Sequence, residues 1–360
     1  MELEEPPSDI VISKEDEELL KILEESKPRI YVIGAGGSGC NTLNRMREVG
    51  IDGVKFVAAN TDVQHLLRIK CDKKILIGKK VTKGLGAGSN PDIGEQAAKE
   101  SIDDIKNGMI DANMVFVTCG LGGGTGTGSA PVIAEIAKGL GALTVAVVTL
   151  PFNSEGRTRM QNALTGLEKL RKHVDTVIVI PNDKLLTLAP DLPLNTAFKV
   201  SDEVLASSVK GIAELVTKAG MVNLDFADLK TILRDAGNAV IGVGEASVDA
   251  KSGERAVIAI ETALNSPLLD VDITTADRAL INVIGGEDMS LKEAEMIVSE
   301  TAKRISPTSH IIWGARIEKN LKRYALKVLV VLAGAKMPKY ELKEVMAGSE
   351  DLDLDLDLLA

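Results

Sequence analysis

Aromatic side chains are scarce in this sequence of 360 residues and make up 2% of it. The cores must therefore be built from Val, Ile, Leu and Ala, and 45% hydrophobic residues over this length suit about two globular domains. Long apolar runs are also missing, since none approaches the ~20 residues that span a bilayer. The acidic first residues lack the basic segment and apolar core of a signal peptide. We therefore expect a soluble, cytoplasmic protein without direct membrane insertion.

Cysteine and histidine are equally rare, with three residues of each type. The cysteines are scattered and odd in number, which indicates reduced thiols rather than a disulfide framework. The histidines lie far apart without another Cys or His at the spacing of metal ligands, so we predict no transition-metal site. They are His65, His173 and His310. A net charge of −10 argues against a nucleic-acid partner, because phosphate contacts need clustered Lys and Arg.

Short apolar segments alternate with helical ones from Arg29 onward, which predicts an α/β fold with a parallel sheet covered on both faces. The predicted strands are residues 30–33, 54–59, 75–77, 115–119, 143–150 and 177–180. In such sheets, ligands bind at the carboxyl ends of the strands. The loops that follow these strands therefore form the candidate site.

Three of these loops are rich in glycine, and each precedes a helix. They begin at Gly34 (GAGGSGCN), Gly84 (GLGAGSNP) and Gly122 (GGGTGTG). Glycine lets main-chain N–H groups approach a ligand, and the helix behind directs its positive end to the same place. The lysine-containing pattern of P-loop proteins is absent, and a flexible linker rarely joins a buried strand to a helix. Three such loops at one sheet edge predict a nucleotide with several phosphates.

A long central helix is predicted from about residue 195 to 218. Phe198 and Asp202 are four residues apart and share one of its faces. A ring can stack on a purine, and a carboxylate can accept from N1–H and N2–H₂ of guanine, whereas it repels the N1 acceptor of adenine. If Asp202 reaches the base, the nucleotide is GTP or GDP. The alternatives are that Phe198 packs in the core and that Asp202 is a solvated surface residue.

A second α/β region runs to about residue 334, with strands near 239–243, 279–284, 310–313 and 326–332. It contains no glycine cradle and no cluster of reactive side chains, so we interpret it as a domain for support or assembly. The tail ends in alternating Asp and Leu, a low-complexity pattern that is typical of disorder. It is either a docking peptide or a solubilising tail. The predicted divisions are 1–27 (an extension with a short helix), 28–194, 195–219, 220–335 and 336–360.

Together these motifs resemble the FtsZ family of the tubulin/FtsZ superfamily over about residues 28–335. The match includes the three glycine loops, PFxxEGxxR from residue 151, PNDK from residue 181 and NxDFAD from residue 223. The resemblance implies a Rossmann-like GTPase domain with a parallel sheet, a long central helix, and a second α+β domain with a mixed sheet. It also implies GTP-driven head-to-tail filaments of the cell-division ring. Mg²⁺ is expected to accompany GTP or GDP, held largely by phosphate oxygens and water.

The resemblance also assigns site residues. The expected nucleotide-binding residues are Gly36, Gly37, Ser38, Gly39, Cys40, Asn41, Asn60, Asp62, Gly88, Gly122, Gly123, Gly124, Thr125, Gly126, Thr127, Gly128, Glu155, Arg159, Asn182, Phe198 and Asp202. The residues given to the next subunit's nucleotide, and so the expected catalytic ones, are Asn223, Asp225 and Asp228. Asp202 stands where many bacterial members have Asn, and the tail does not resemble the bacterial tail peptide. The sequence is therefore more similar to archaeal members, and its membrane-tethering or division partners are not predicted to be the bacterial ones.

The central helix decides how hydrolysis is expected to occur. From Asp202 to Lys218 it rises about 24 Å, so Asp225 and Asp228 should not reach the phosphates of their own chain. Asp225 either caps the helix that starts at Phe226, or enters the pocket of a neighbouring subunit and polarises the attacking water. The resemblance favours the second interpretation.

Two other functions compete with a polymerising GTPase. An NAD-linked oxidoreductase would use G-x-G-x-x-G with Asp62 downstream, but it needs one such loop and this chain has three. A GTP-binding structural protein without hydrolysis is the other, and it is disfavoured if Asp225 and Asp228 are catalytic.

Overall fold

The computed structural model describes residues 27–188, 194–218, 220–246, 254–269, 271–318, 321 and 325–336. The predicted N-terminal helix and the acidic-leucine tail lie outside the described residues. The strands are β1 (Ile30–Ala35), β2 (Val54–Asn60), β3 (Lys73–Leu76), β4 (Met114–Gly120), β5 (Leu143–Leu150), β6 (Thr176–Pro181), β7 (Gly237–Ala246), β8 (Arg278–Gly285), β9 (His310–Ile317) and β10 (Leu326–Ala333).

Helices occupy most of the connections between these strands. They are α1 (Gly36–Val49), α2 (Val63–Leu67), α3 (Lys79–Thr82), α4 (Pro91–Glu100), α5 (Ile102–Lys106), α6 (Thr125–Gly139), α7 (Arg157–Arg171), α8 (Asn182–Leu188), α9 (Leu194–Thr217), α10 (Phe226–Leu233), α11 (Glu254–Leu264) and α12 (Leu291–Arg304). The central helix is α9, and its observed bounds differ from the predicted ones by one residue at each end.

The strands form one ten-stranded sheet in the order β3-β2-β1-β4-β5-β6-β7-β10-β8-β9. All pairs from β3 to β6 are parallel, and the strand order reverses between β1 and β4. This is a Rossmann-like arrangement, in which a crevice for ligands opens at the carboxyl ends of the strands where the order reverses. The first glycine loop follows β1 and the GGGTGTG loop follows β4, so the predicted cradle lies at that crevice.

The other part of the sheet is mixed, as predicted for the second region. Strand β10 is antiparallel to both β7 and β8, whereas β8 and β9 are parallel. The join between the two parts is short, because β6 and β7 pair over only the three residues from Thr176 to Ile178. The predicted domain limits remain predictions.

The side chains of the parallel strands alternate between two cores. On β1, Ile30 and Val32 belong to the core on the α9 side, while Tyr31 and Ile33 belong to the core on the opposite face. The two-residue period of a strand produces this division, and burial on both faces explains why the strands read as continuous apolar runs.

Helix α9 runs beside α1 in the same direction. Asp202 accepts a hydrogen bond from Thr42 in the middle of α1, and Lys210 Nζ donates to the carbonyl of Val49 at its end. Helix α9 is about 36 Å long at 1.5 Å per residue. It therefore begins at the edge of the sheet where the glycine loops lie and ends at the opposite edge.

Candidate nucleotide-binding site

The three glycine loops meet at the crevice with their backbones in contact. A Cβ added to Gly36 would lie 2.6 Å from the amide nitrogen of Gly126, and one added to Gly124 would lie 2.8 Å from that of Asn90. Gly36 also has a φ of +71°, which disfavours other residues. The loops after β1 and β4 and the loop before α4 therefore pack against one another only because these positions are glycine.

Other glycines face open space. A Cβ on Gly37, Gly88 or Gly123 would have no atom within 4 Å among the described residues. Helices α1 and α6 both begin here, and neither has a side-chain hydrogen bond to its first turn, with Ala35 and Gly124 in the capping positions. Unpaired N–H groups at a helix N-terminus attract anions, so this open space has the chemistry of a phosphate site.

Side chains that follow β4 and β1 stabilise the shape of the glycine loops at those two places. Thr127 Oγ1 accepts a hydrogen bond of 2.8 Å from the N–H of Gly122, and the Thr125 hydroxyl lies 2.6 Å from that of Thr61. Burial raises the pKa of the Cys40 thiol to about 12, and its Sγ donates to the carbonyl of Gly34. Cys40 therefore offers only its main chain to a ligand.

On the other side of the crevice, Phe198 and Asp202 occupy one face of α9. The Phe198 ring is 40% exposed and packs edge-on against Phe152, with 5.4 Å between the ring centroids. The interpretation of Phe198 as a core residue is therefore wrong. Asp202 accepts from Thr42 at 2.7 Å, and burial raises the pKa of its carboxyl to about 6, although Thr42 and Arg45 oppose the shift.

Three further predicted residues follow β5 and β6, with Glu155 just before α7, Arg159 in its first turn and Asn182 at the start of α8. Glu155 accepts from the N–H of Phe152 at 2.8 Å and forms an ion pair of 3.0 Å with Arg159. The Arg159 side chain packs against Gly122, which brings it beside the cradle. Asn182 is buried, and its Oδ1 accepts from the Ser201 hydroxyl at 2.9 Å.

Asn60 ends β2 and Asp62 follows it, and both contact a residue that the sequence did not indicate, His65. Asn60 is 3% exposed, and its Nδ2 lies 3.2 Å from His65 Nδ1. His65 Nε2 lies 3.0 Å from Oδ1 of Asn41 on α1. Asp62 caps α2 by accepting from the N–H of His65. No sequence motif marks His65, because its partners Asn60 and Asn41 belong to two different elements, β2 and α1.

The structure does not bring Asn223, Asp225 and Asp228 to the crevice. They follow the far end of α9, about 22 Å along its axis from Asp202 to Thr217. Asp225 caps α10 by accepting from the N–H of Asp228 at 2.8 Å, and Asp228 accepts from the N–H of Asp225 at 3.2 Å. The capping role considered from the sequence is therefore present, and both carboxylates lie at the surface.

The fold and the phosphate cradle without a P-loop lysine define a GTPase of the tubulin/FtsZ class, and residues 29–190 match the model of the tubulin/FtsZ family, GTPase domain. Residues 237–336 match that of the FtsZ family, C-terminal domain. The chain belongs to the FtsZ family. As a member it is a GTPase that binds GTP and GDP, and the comparisons give no sign of the oxidoreductase alternative.

Relatives match over most of both chains. Cell division protein FtsZ 1 of Methanocaldococcus jannaschii is 56% identical over 327 residues, which cover 91% of this chain and 88% of the relative. The protein of the same name from Thermococcus kodakarensis is 54% identical and covers 96% and 92%. A solved empty FtsZ dimer from M. jannaschii has a TM-score of 0.83 at 57% identity and covers 89% and 92%. These relatives confirm the similarity to archaeal members.

Among the described residues, none of the helices combines the length and apolarity that crossing a membrane requires.

Proposed function

We propose that this chain is a cell-division GTPase whose subunits assemble head to tail, and that each GTP is hydrolysed at the contact between two subunits. The observation that carries the proposal is the separation of Asp225 and Asp228 from the crevice by the length of α9. A carboxylate at one edge of the sheet can serve a nucleotide at the other edge only in a neighbouring subunit. Such a contact joins two different faces, so its repetition builds a filament.

The nucleotide is proposed to lie across the crevice. Its phosphates would be held by the segments 36–41 and 122–128, through N–H groups in the first turns of α1 and α6, with Gly88 nearby and with Glu155 and Arg159 toward the ribose and phosphates. The uncapped starts of α1 and α6 support this placement. Guanine would stack on Phe198 and donate to Asp202, and the residues around it would be Asn41, Asn60, Asp62 and Asn182.

Magnesium is proposed to enter with the nucleotide. In the part of the chain that the structure describes, no group of three or more His, Cys, Asp or Glu side chains could hold a metal ion. Backbone amides and hydroxyls dominate the cradle instead, which fits an ion whose ligands are mainly phosphate oxygens and water. Bound there, the ion would neutralise charge on the phosphates.

Hydrolysis in this arrangement needs two subunits. One subunit holds GTP. A water molecule is positioned and polarised by Asn223, Asp225 and Asp228 of the next subunit, and this water attacks the γ-phosphorus. The bond to the β–γ bridging oxygen breaks, and GDP and phosphate are the products. A free monomer lacks half of this site. Cell division and a location at the division site are supported by the FtsZ relatives, and self-association by the solved dimer.

The first experiment compares phosphate release and 90° light scattering with GTP, GDP, ATP and NAD over a range of protein concentrations. The proposal expects turnover per subunit to rise from near zero above a critical concentration, with GTP alone. Constant turnover per subunit at all concentrations would show that one chain completes its own site.

The second experiment separates the capping role of Asp225 from its charge. Asp225→Asn keeps a good helix cap but removes the carboxylate, whereas Asp225→Ala removes both. A catalytic carboxylate predicts that both variants bind GTP and polymerise but barely hydrolyse it. Full activity in Asp225→Asn would leave only the structural role.

The third experiment mixes two inactive proteins. Gly123→Asp places a negative charge in the open part of the cradle without a clash and should prevent GTP binding, while Asp225→Ala lacks the carboxylate. In a random copolymer, roughly a quarter of the interfaces pair an intact pocket with an intact carboxylate. Activity should return on mixing, and its absence from polymers shown to contain both proteins would contradict the proposal.

A further inference from the structure

Three polar side chains, those of Asn60, His65 and Asn41, form a chain of hydrogen bonds between the end of β2 and helix α1. It starts at a main-chain group, because the N–H of Asp62 donates to Asn60 Oδ1 at 3.3 Å. A backbone N–H can only donate, so the Asn60 oxygen faces Asp62 and its Nδ2 group faces His65. This fixed end determines the direction of every following bond.

The donor-to-acceptor direction of the hydrogen bonds continues through the ring of His65. Asn60 Nδ2 donates, so His65 Nδ1, 3.2 Å away, must accept. The proton of the neutral ring is therefore on Nε2, which donates to Asn41 Oδ1 at 3.0 Å. The ring is also held from behind, since the N–H of His65 donates to Asp62 Oδ1 at 3.0 Å.

The last member of the chain faces outward. With its oxygen engaged by His65, the exposed Asn41 amide presents its NH₂ group rather than its oxygen. The next residue, Thr42, donates to Asp202. Neighbouring positions of α1 thus contact His65 through Asn41 and Asp202 through Thr42.

We propose that His65 is a positioning residue for base selection, which holds the Asn41 amide with its NH₂ group toward the guanine edge. This inference rests on the proposed binding of the nucleotide in the crevice. Guanine carries an acceptor, O6, beside the donor N1–H, whereas adenine carries an amino group at position 6. The Asn41 donor suits O6 and opposes adenine, and a flipped amide would reverse that preference.

The test measures dissociation constants for GDP, IDP and ADP by calorimetry, since diphosphates avoid hydrolysis. IDP keeps O6 and N1–H of guanine but lacks the 2-amino group, which in the proposed complex also donates to Asp202. His65→Ala should weaken GDP and IDP by the same factor, about 5- to 20-fold for one lost oriented hydrogen bond, and should not weaken ADP. His65→Gln can accept from Asn60 and donate to Asn41, so it should bind within about twofold of the wild type.

Two further variants make the result specific. Asn41→Ala should weaken GDP as much as His65→Ala, and the double variant should be no weaker, since the two residues act as one unit. His173→Ala, a histidine outside the crevice, is the matched control and should bind like the wild type.

Equal weakening of GDP and ADP in His65→Ala would overturn the inference, because it would show a general structural role. Unchanged GDP affinity in His65→Ala would overturn the inference as well. The proposed function would stand in that case, provided that the wild-type protein binds GDP and Asp202→Leu does not. If the wild-type protein itself does not bind GDP, the proposed function fails and the inference fails with it.

Discussion

Thr42 Oγ1 donates a hydrogen bond of 2.7 Å to Asp202 Oδ1 and so joins helix α1 to the central helix α9. The bond lies beside the proposed guanine site, on the one carboxylate of that site whose pKa is raised. Burial disfavours the charged form of Asp202, whereas guanine binding needs it, since only a carboxylate accepts both N1–H and N2–H₂. We therefore expect nucleotide binding to be coupled to the protonation of Asp202.

GDP affinity is expected to depend on pH through Asp202. The pKa of Asp202 is raised to about 6, so the carboxylate is present at pH 7.5 and protonated below about 6. Affinity should be constant above about pH 7 and fall by up to about tenfold per pH unit below pH 6. Asp202→Asn cannot titrate and should lose this slope while binding less tightly at pH 7.5. The same slope in Asp202→Asn would assign the proton to another group.

Thr42→Val should move this pH dependence upward. The valine has a similar shape but no donor, and the Thr42 hydrogen bond opposes the raised pKa of Asp202, together with the charge of Arg45. The pH at which GDP affinity starts to fall should therefore rise, while Thr42→Ser, which keeps the hydroxyl, should behave like the wild type. A midpoint that is equal in all three proteins would show that the bond is not formed in solution.

The charge of Asp202 is also expected to set the strength of binding. Asp202→Leu should weaken GTP binding by about 2–3 kcal/mol, because it leaves the donors of guanine without a partner. Isothermal titration with GTP measures the loss, and the melting temperature of the variant shows whether it is folded. Unchanged GTP affinity would remove Asp202 from the base site.

A buried ion cluster in the second region should control acid stability. Arg255 on α11 is 1% exposed and pairs with Glu293 on α12 at 2.5 Å, and this bond holds the Glu293 pKa at about 2. The stability that it contributes is present above about pH 4.5 and is lost as pH falls toward 2. Arg255→Met should cost about 3–5 kcal/mol at pH 7, since Glu293 would stay buried without its partner.

Urea unfolding of wild type and Glu293→Gln over pH 3–7 measures this loss, and the difference between them should shrink as the pH falls. Glu300→Gln removes a more exposed ion pair with Lys303 from the same helix and serves as the control, with an effect below about 1 kcal/mol. A constant difference between wild type and Glu293→Gln across the range would contradict the assignment.

Removal of residues 349–360, which lie outside the described residues, should leave GTP turnover and assembly intact and abolish capture of a tethering or division partner. The alternation of Asp and Leu in this tail suits addition of a strand to a partner sheet. Sedimentation and phosphate release test the first part, and pull-down with the full-length chain as the reference tests the second. If assembly itself fails without the tail, the docking hypothesis is wrong.

The sequence was sufficient to predict most of the sheet and the convergence of its loops. Close contact between backbones requires glycine at positions such as Gly36 and Gly124, and the spacing of these glycines is visible in the sequence. The position of a loop on a parallel sheet follows from strand order. The cap formed by Asp225 was likewise foreseen from the residues that follow it. Features of this kind can be predicted from the sequence because they depend on residues that are close together in the chain.

Other features depend on contacts between distant segments. His65 gains its role from Asn41, 24 residues away, and from the geometry of the β2 loop, which no motif encodes. Arg255 reads as a surface charge until Glu293 is brought beside it. The exposed ring of Phe198 has the same helical spacing as the buried residues of α9, so periodicity alone could not separate a ligand platform from a core position.

The uncapped starts of α1 and α6 give the nucleotide a structural role in addition to its role as substrate. Asp62 and Asn90 cap α2 and α4, whereas α1 and α6 have no capping side chain, as is also true of α3, α5 and α7. In the proposed complex, phosphate oxygens accept from the N–H groups of the first turns of α1 and α6, so bound nucleotide stabilises the starts of both helices. In the proposed complex, exchange of GDP for GTP therefore passes through an empty subunit in which these first turns have no phosphate to accept from them.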